Sequence, residues 1–468
     1  MVAKHPFLCL IWVVSLGALL FTGLNQPVPI RTEGLRIAIA EEMTHSGNWV
    51  VPHLWGEPIL TKPPGFYWAL SIAQRIGGAH SLAVMRLVSV LGLIGIAISA
   101  NCYLGVGREK RIFGYAIYLT SIAATMASIG QVPSAEMDIP FSFWILWFWM
   151  LAIDLGTKGI ADSLERFMIK VLGLGLLGGV SILFKWTAPA FFLPAWLWLI
   201  LFSQMPRSRK VLGTILCAIG ICLVPCLWMV AVIRQVEWHV LKDAIMSEAL
   251  PHLSPVHHTR SYPFLEWITF PIQIVSMSLP AALPLALPLF SKDAEKFKSM
   301  IKPWPFVLAG SLLIWTLIPG HRPRHALPIA LGLAILSVPM WRKFLELGST
   351  RLVGVGLILF TLGIVKGILS FGTANQRVQL NQLVECAHEM EIAVGDETLG
   401  LDRIKEDGFV WLTRIPNVIR ISDDKIPNWI LCDQNQEDKW TSKGFEVQNR
   451  IELSRHSLLT LLFREQRP

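Results

Sequence analysis

GEPILTKPPGFYW occupies positions 56–68. Lys62 stands against two prolines, which hold the backbone extended and withhold hydrogen-bond donors. Phe66, Tyr67 and Trp68 follow at once. A lysine snorkelling to lipid headgroups would account for the charge. Snorkelling needs no rigid backbone, however, and an ammonium fixed in this way suits a phosphate partner better.

The chain around this stretch is built for a bilayer. Of its 468 residues, 53% are hydrophobic and only 16% are charged. The mean hydropathy is +0.52. These values argue against a soluble enzyme and for a polytopic membrane protein. Nineteen tryptophans against five tyrosines suit long membrane–water boundaries. The net charge of +8 is explained by basic cytoplasmic loops, and no basic–aromatic pattern for nucleic acid is present. A bilayer core takes about 20 apolar residues per helix, and about eleven runs of that kind are counted. They begin near Phe7, Ser81, Ile112, Ile139, Val171, Thr187, Val211, Pro271, Trp304, Ala326 and Leu352. The first is read as an uncleaved anchor, with a cleaved signal peptide as the other reading, because no small-residue cleavage site follows it.

Simple alternation of these helices puts the basic connections 107–111, 158–170, 207–210, 291–302 and 341–343 on one side. The positive-inside rule makes that side cytoplasmic, with the N-terminus inside and the tail outside. The opposite side has long stretches at 25–80 and 234–270, and short ones at 130–138, 185–186 and 320–325. Carboxylates, histidines, lysines and arginines gather there in proline-rich settings. The division expected is a transmembrane domain over 1–370 and an extracytoplasmic α/β domain over 371–468. In that tail, RVQLNQLVECAHEM reads as a helix, and FVWLT, NVIRI, NWILCD and SLLTLLF read as strands. Cys386 and Cys432 could pair there in an oxidising compartment.

Each outward residue has a plain reading beside a functional one. Leu35, Ala38, Ile39, Glu42 and Met43 follow a helical period that Gly47 can end, with Thr32 as N-cap and the helix lying along the interface. Glu33 then either faces the helix dipole or serves as a general base. Asp138, before Ile139 and Pro140, is an ordinary N-cap or a site carboxylate, and Glu136 adds a second acid. Lys185 interrupts a long apolar run, which makes it a functional candidate, with snorkelling as the alternative. His321, Arg322, Arg324 and His325 oppose the positive-inside trend. A guanidinium fork matches phosphate oxygens, and headgroup binding is the other explanation. His252, His257 and His258 share the second long loop, and the adjacent pair His257-His258 is weak evidence for a metal without a clear third ligand.

Taken together, TEGLRIAIAEEM…GNWVVPHLWGEPILTKPPGFYW, SAEMDIPFSFW, LFKWTAPAFFLP and HRPRHALP resemble the membrane glycosyltransferases of the GT-C fold. The group resembled contains the aminoarabinose lipid A transferases and the dolichyl-phosphate-mannose–protein mannosyltransferases. The resemblance covers roughly residues 5–345 and is most specific over 32–68. It implies an inverting transfer of a sugar from a polyprenyl-phosphate donor to an acceptor lipid, glycan or protein, on the outer side of the inner membrane. It implies Glu33 and Asp138 as the acids of the reaction, and Glu136 joins them as the second carboxylate beside Asp138. It implies Lys62, Lys185, Arg322 and Arg324 as holders of the donor phosphate. A divalent metal is left open as a cofactor, with His258 as the ligand. Thr61 stands where relatives often have a metal-binding glutamate, and Thr32-Glu33 stands where they often have Asp-Glu. A sugar or lipid transporter would also explain the helices, but it would show repeats and charges near the bilayer centre. A non-catalytic scaffold presenting the tail would leave the charged outer loops unexplained.

Overall fold

The computed structural model describes residues 6–29, 32–78, 80–104, 132–253, 264–279, 302–318, 322–346, 374–421, 426–454 and 457–465, with a few isolated positions between them. In chain order the elements begin with α1 (Pro6–Phe21), α2 (Glu33–Ser46), a hairpin of β1 (His53–Leu54) and β2 (Glu57–Pro58), and α3 (Gly65–Gly77). Next come α4 (Leu82–Tyr103), α5 (Asp138–Lys158), α6 (Leu164–Phe184), α7 (Pro189–Phe202) and α8 (Arg207–Ile233). They are followed by α9 (Trp238–Leu253), α10 (Phe264–Met277), α11 (Pro303–Leu317) and α12 (Leu327–Glu346). The tail runs α13 (Ala374–Val394), β3 (Thr398–Asp402), α14 (Asp407–Leu412), β4 (Asn417–Arg420), β5 (Trp429–Asp433), α15 (Glu437–Thr441), β6 (Glu446–Ser454) and β7 (Ser457–Phe463).

Among the described residues, α4, α5, α6 and α8 are long and apolar enough to cross a membrane, and shorter apolar helices accompany them. The helices expected near Ile112 and Leu352 lie outside the described residues. Besides α2, the outer stretches 25–80 and 234–270 contain two helices that the sequence reading did not include, α3 and α9.

The chain forms two compact units. One comprises Met1–Thr22, Leu60–Phe66 and Arg86–Ile368; the other comprises Gly23–Ile59, Tyr67–Met85 and Leu369–Pro468. In the first, α6 and α8 pack most closely, because glycines meet across the interface. A Cβ on Gly175 would lie 2.5 Å from the Cys217 carbonyl oxygen, and one on Gly220 would lie 2.8 Å from the Gly175 backbone. Small residues let membrane helices approach so that van der Waals contact can hold them. An aromatic cluster joins α5, α7 and α11. Trp149 donates its indole N–H to the Phe191 carbonyl at 2.8 Å, and its ring meets Trp304 edge-on at 6.2 Å.

The α5–α6 hairpin has two chemically different ends. At its loop, Arg209 donates to the carbonyls of Gly159 (2.9 Å) and Asp162 (3.0 Å). There Lys158 pairs with Asp154 at 2.6 Å and Lys170 with Asp162 at 2.8 Å. The open end carries Asp138 and Lys185.

The second unit is built on a five-stranded sheet of order β4-β3-β5-β7-β6. β3 runs parallel to β4 and β5, while β7 is antiparallel to β5 and β6. Leu399, Leu431, Leu459 and Leu461 face the side that α13 covers with Ala387, Met390 and Val394. Two expectations are corrected in the tail. FVWLT lies mainly in helix α14, with Phe409, Val410 and Trp411 all buried. A short continuous apolar run fits a buried helix as well as a strand, and here burial on every side favours the helix. Cys386 and Cys432 are both free thiols. Cys386 packs with the α13-side core, whereas Cys432 belongs to a separate cluster with Ile430, Trp440 and Leu462. Alternate residues of a strand point to opposite faces, so the sheet itself separates the two sulfurs.

Candidate active site

The open end of the α5–α6 hairpin is organised by charge. Asp138 is the first residue of α5, after Met137 in the cap position. Its carboxylate does not act as an N-cap. Oδ1 accepts a 2.8 Å hydrogen bond from Lys185 Nζ, and the two side chains are only 3% and 6% exposed. Lys185 terminates α6 in extended backbone and lies 5.5 Å from the Phe141 ring centroid. This lysine is therefore held inside the protein and is not reaching for headgroups. Glu136 is buried two residues upstream. Its loop is fixed to α4 where the Ser134 backbone N–H donates to Ser89 Oγ at 3.0 Å.

The Lys-Pro-Pro segment arrives at the same end. A Cβ on Gly65 would lie 2.7 Å from the Leu183 carbonyl oxygen, two residues before Lys185. Glycine thus permits the turn carrying Lys62 to seat directly on the end of α6. Lys62 Nζ pairs with the carboxylate of Glu248 on α9. The pair is less enclosed than Asp138–Lys185, with 26% and 22% of the side chains exposed. Arg322 and Arg324 flank Pro323 in the single 3₁₀ turn that leads into α12. Arg322 is exposed and Arg324 half-buried, and neither makes an ion pair among the described residues. His321 and His258 lie outside the described residues. No group of three or more metal-ligating side chains occurs among the described residues.

Glu33 belongs to the other unit. It opens α2 and is fully buried, as are most residues of the helix. Burial all round replaces the single apolar stripe expected of a helix lying on a membrane surface. Thr32 takes the cap position but makes no side-chain capping bond. The reason for the burial is α14. A Cβ on Gly34 would lie 2.1 Å from Gly408 Cα, so the two backbones pass in direct contact. Trp411 of α14 donates its indole N–H to Glu41, and Trp55 donates its own to Asp407 at 3.0 Å.

Sequence reasoning missed three carboxylates. Glu248 lies on α9, whose Trp238, Leu241 and Ile245 recur at helical spacing and could have revealed it. Glu41 and Glu42 form a charged pair in an apolar stretch. Glu42 accepts from the backbone N–H of Trp55 (2.7 Å) and Gly56 (3.0 Å), which pins the β1–β2 hairpin. Burial raises the Glu42 pKa while those two donors oppose the rise. Glu41 also faces His80 at 3.2 Å, and burial lowers the pKa of that imidazole.

No protein-family model matches the chain. Among curated proteins, it is 26% identical over 393 residues to the undecaprenyl phosphate-alpha-4-amino-4-deoxy-L-arabinose arabinosyl transferase of Pseudomonas savastanoi pv. phaseolicola, covering 76% of this chain and 65% of that protein. It is 27% identical over 365 residues to the second such transferase of Pseudomonas fluorescens, covering 69% and 55%. The chain thus spans less than two thirds of the length of these relatives. Its fold matches the crystal structure of ArnT from Cupriavidus metallidurans bound to undecaprenyl phosphate, with a TM-score of 0.68, 14% identity and 98% of each chain covered. It also matches the Archaeoglobus fulgidus oligosaccharyltransferase with a TM-score of 0.54, 12% identity, and 93% and 69% of the two chains covered.

Proposed function

We propose that this chain, which has the GT-C fold of the aminoarabinose transferases it resembles, is an inverting glycosyltransferase of the inner membrane. It moves a sugar from a polyprenyl-phosphate donor to an acceptor lipid, glycan or protein. The observation that carries this reading is the open end of the α5–α6 hairpin, where a buried acid–lysine pair and the Lys62 turn are packed together. The relatives' names support a transferase over a transporter.

The donor's polyprenyl chain lies among the helices of residues 1–370, spanning the bilayer about eleven times. Its phosphate meets Lys62, Lys185, Arg322 and Arg324. As the bond between the anomeric carbon and the phosphate oxygen breaks, negative charge grows on the phosphate. Fixed cations in a water-poor site stabilise that charge without reorganising. The acceptor oxygen bonds to the opposite face of the oxocarbenium-like carbon, inverting it, and gives up its proton to a carboxylate. Glu33 is our first choice for that base. Asp138, already bound to Lys185, orients the lysine, and Glu136 adds negative charge beside it. His258 would be the protein ligand if a divalent metal takes part. The N-terminus lies in the cytoplasm and the tail, 371–468, outside.

The test is transfer of labelled aminosugar from undecaprenyl phosphate in reconstituted membranes. Glu33→Gln should reduce the rate by about 10²–10⁴-fold, the usual worth of general-base help, and Lys62→Ala should raise the donor concentration required. Wild-type transfer by both variants would overturn these roles.

A further inference from the structure

Lys62 and Lys185 each hold a carboxylate, but the two pairs are unlike. Asp138–Lys185 is sealed, with side chains 3% and 6% exposed. Breaking such a pair leaves a buried charge uncompensated, so it does not open in each catalytic cycle. Lys62–Glu248 is only partly buried, with 26% and 22% of its side chains exposed, so water screens it more than the sealed pair. Glu248 also lies on a helix that buries little among its described side chains: of the residues from Trp238 to Glu248, only Leu241 is buried. Elements with few buried contacts shift at small cost. Lys62 is thus the lysine that can change its anion.

Transfer makes this exchange useful. The donor is a phosphodiester with one negative charge. Once the sugar leaves, the product is a phosphomonoester, which carries about −1.5 to −2 near neutral pH. A purely cationic site would therefore bind the product more tightly than the substrate, and turnover would stall on release. We propose that Glu248 is a specificity-determining residue for the phosphate. Its carboxylate competes with bound phosphate for Lys62, and its return to Lys62 helps expel the polyprenyl phosphate product. This rests on the reading of Lys62 as a phosphate-binding residue.

The experiment measures binding of undecaprenyl phosphate to the purified full-length protein in detergent, together with thermal unfolding of each variant. Glu248→Gln should tighten binding about three- to fivefold, the upper end of what a water-screened ion pair is worth when converted to affinity. Glu248→Asp should restore the wild-type value, and Lys62→Ala should erase the effect of Glu248→Gln. With sugar donor and acceptor supplied, turnovers after the first should slow, relative to the first, more in Glu248→Gln than in the wild type. Unchanged or weaker binding by a folded Glu248→Gln protein overturns the proposal but leaves the transferase reading standing. Failure of the wild-type protein to bind undecaprenyl phosphate overturns both.

Discussion

At the scale of single residues, the site depends on which charges are sealed and which are reachable. Lys185→Met leaves Asp138 as a buried carboxylate without its cation, which should cost about 3–5 kcal/mol. Adding Asp138→Asn should recover much of that loss while transfer stays abolished. Thermal unfolding of the single and double variants in detergent checks the pattern, and equal destabilisation in both would refute it. Lys62, Asp138 and Lys185 were legible as candidates because each is a charge set in apolar or proline-bound sequence. Their partners were not legible. Asp138 and Lys185 are 47 positions apart, and Lys62 and Glu248 are 186 apart. No local pattern encodes a pairing at such separation. The capping reading of Asp138 failed for the same reason: the N-cap rule sees only the next few residues, whereas Lys185 reaches the carboxylate from a different helix.

Elements bring these residues together through backbone contacts that tolerate no added atom. Gly65→Ala sets a methyl group against the Leu183 carbonyl at 2.7 Å, and backbone on both sides cannot yield cheaply. Overpacking of this kind costs about 1–3 kcal/mol. We expect a lowered unfolding midpoint, with donor binding reduced further because the Lys62 turn is pushed off α6. Gly17→Ala in α1, where a Cβ would meet nothing within 4 Å, serves as the control. The four long apolar helices among the described residues, α4, α5, α6 and α8, were easy to read because long apolar runs have few alternatives. The β4, β5 and β7 strands followed from their β-branched and aromatic content and bounding turn residues. FVWLT was misassigned because five apolar-rich residues carry no decisive period. β3 and β6 went unread because glycine and charged residues interrupt their patterns.

For the molecule as a whole, acid is an informative stress. Burial lowers the His80 pKa from its ordinary 6.5, Glu41 opposing part of that. Above about pH 6.5 the imidazole is neutral both folded and unfolded and contributes nothing to the difference. Below that value the unfolded chain takes up the proton more readily, so stability falls with pH. Glu42 and Asp407 work the other way, since burial raises both carboxyl pKa values, and they limit the decline at lower pH. The unfolding midpoint should drop between about pH 7 and about pH 5.5, and drop less in His80→Gln; identical pH profiles would refute the assignment. The difference in charge between the two ends of the α5–α6 hairpin was legible from the residues that flank it. The association of residues 23–59 with the tail was not, since it is made by Gly34 against Gly408 and by Trp411 on Glu41. That association sets the terms for any chimera with a relative. Splicing at a single junction near residue 371 would import a foreign tail onto a native α2 and strip the cover from the helix that opens with Glu33. A workable graft must exchange three separate lengths of chain as one inheritable block, and natural recombination at this locus faces the same restriction.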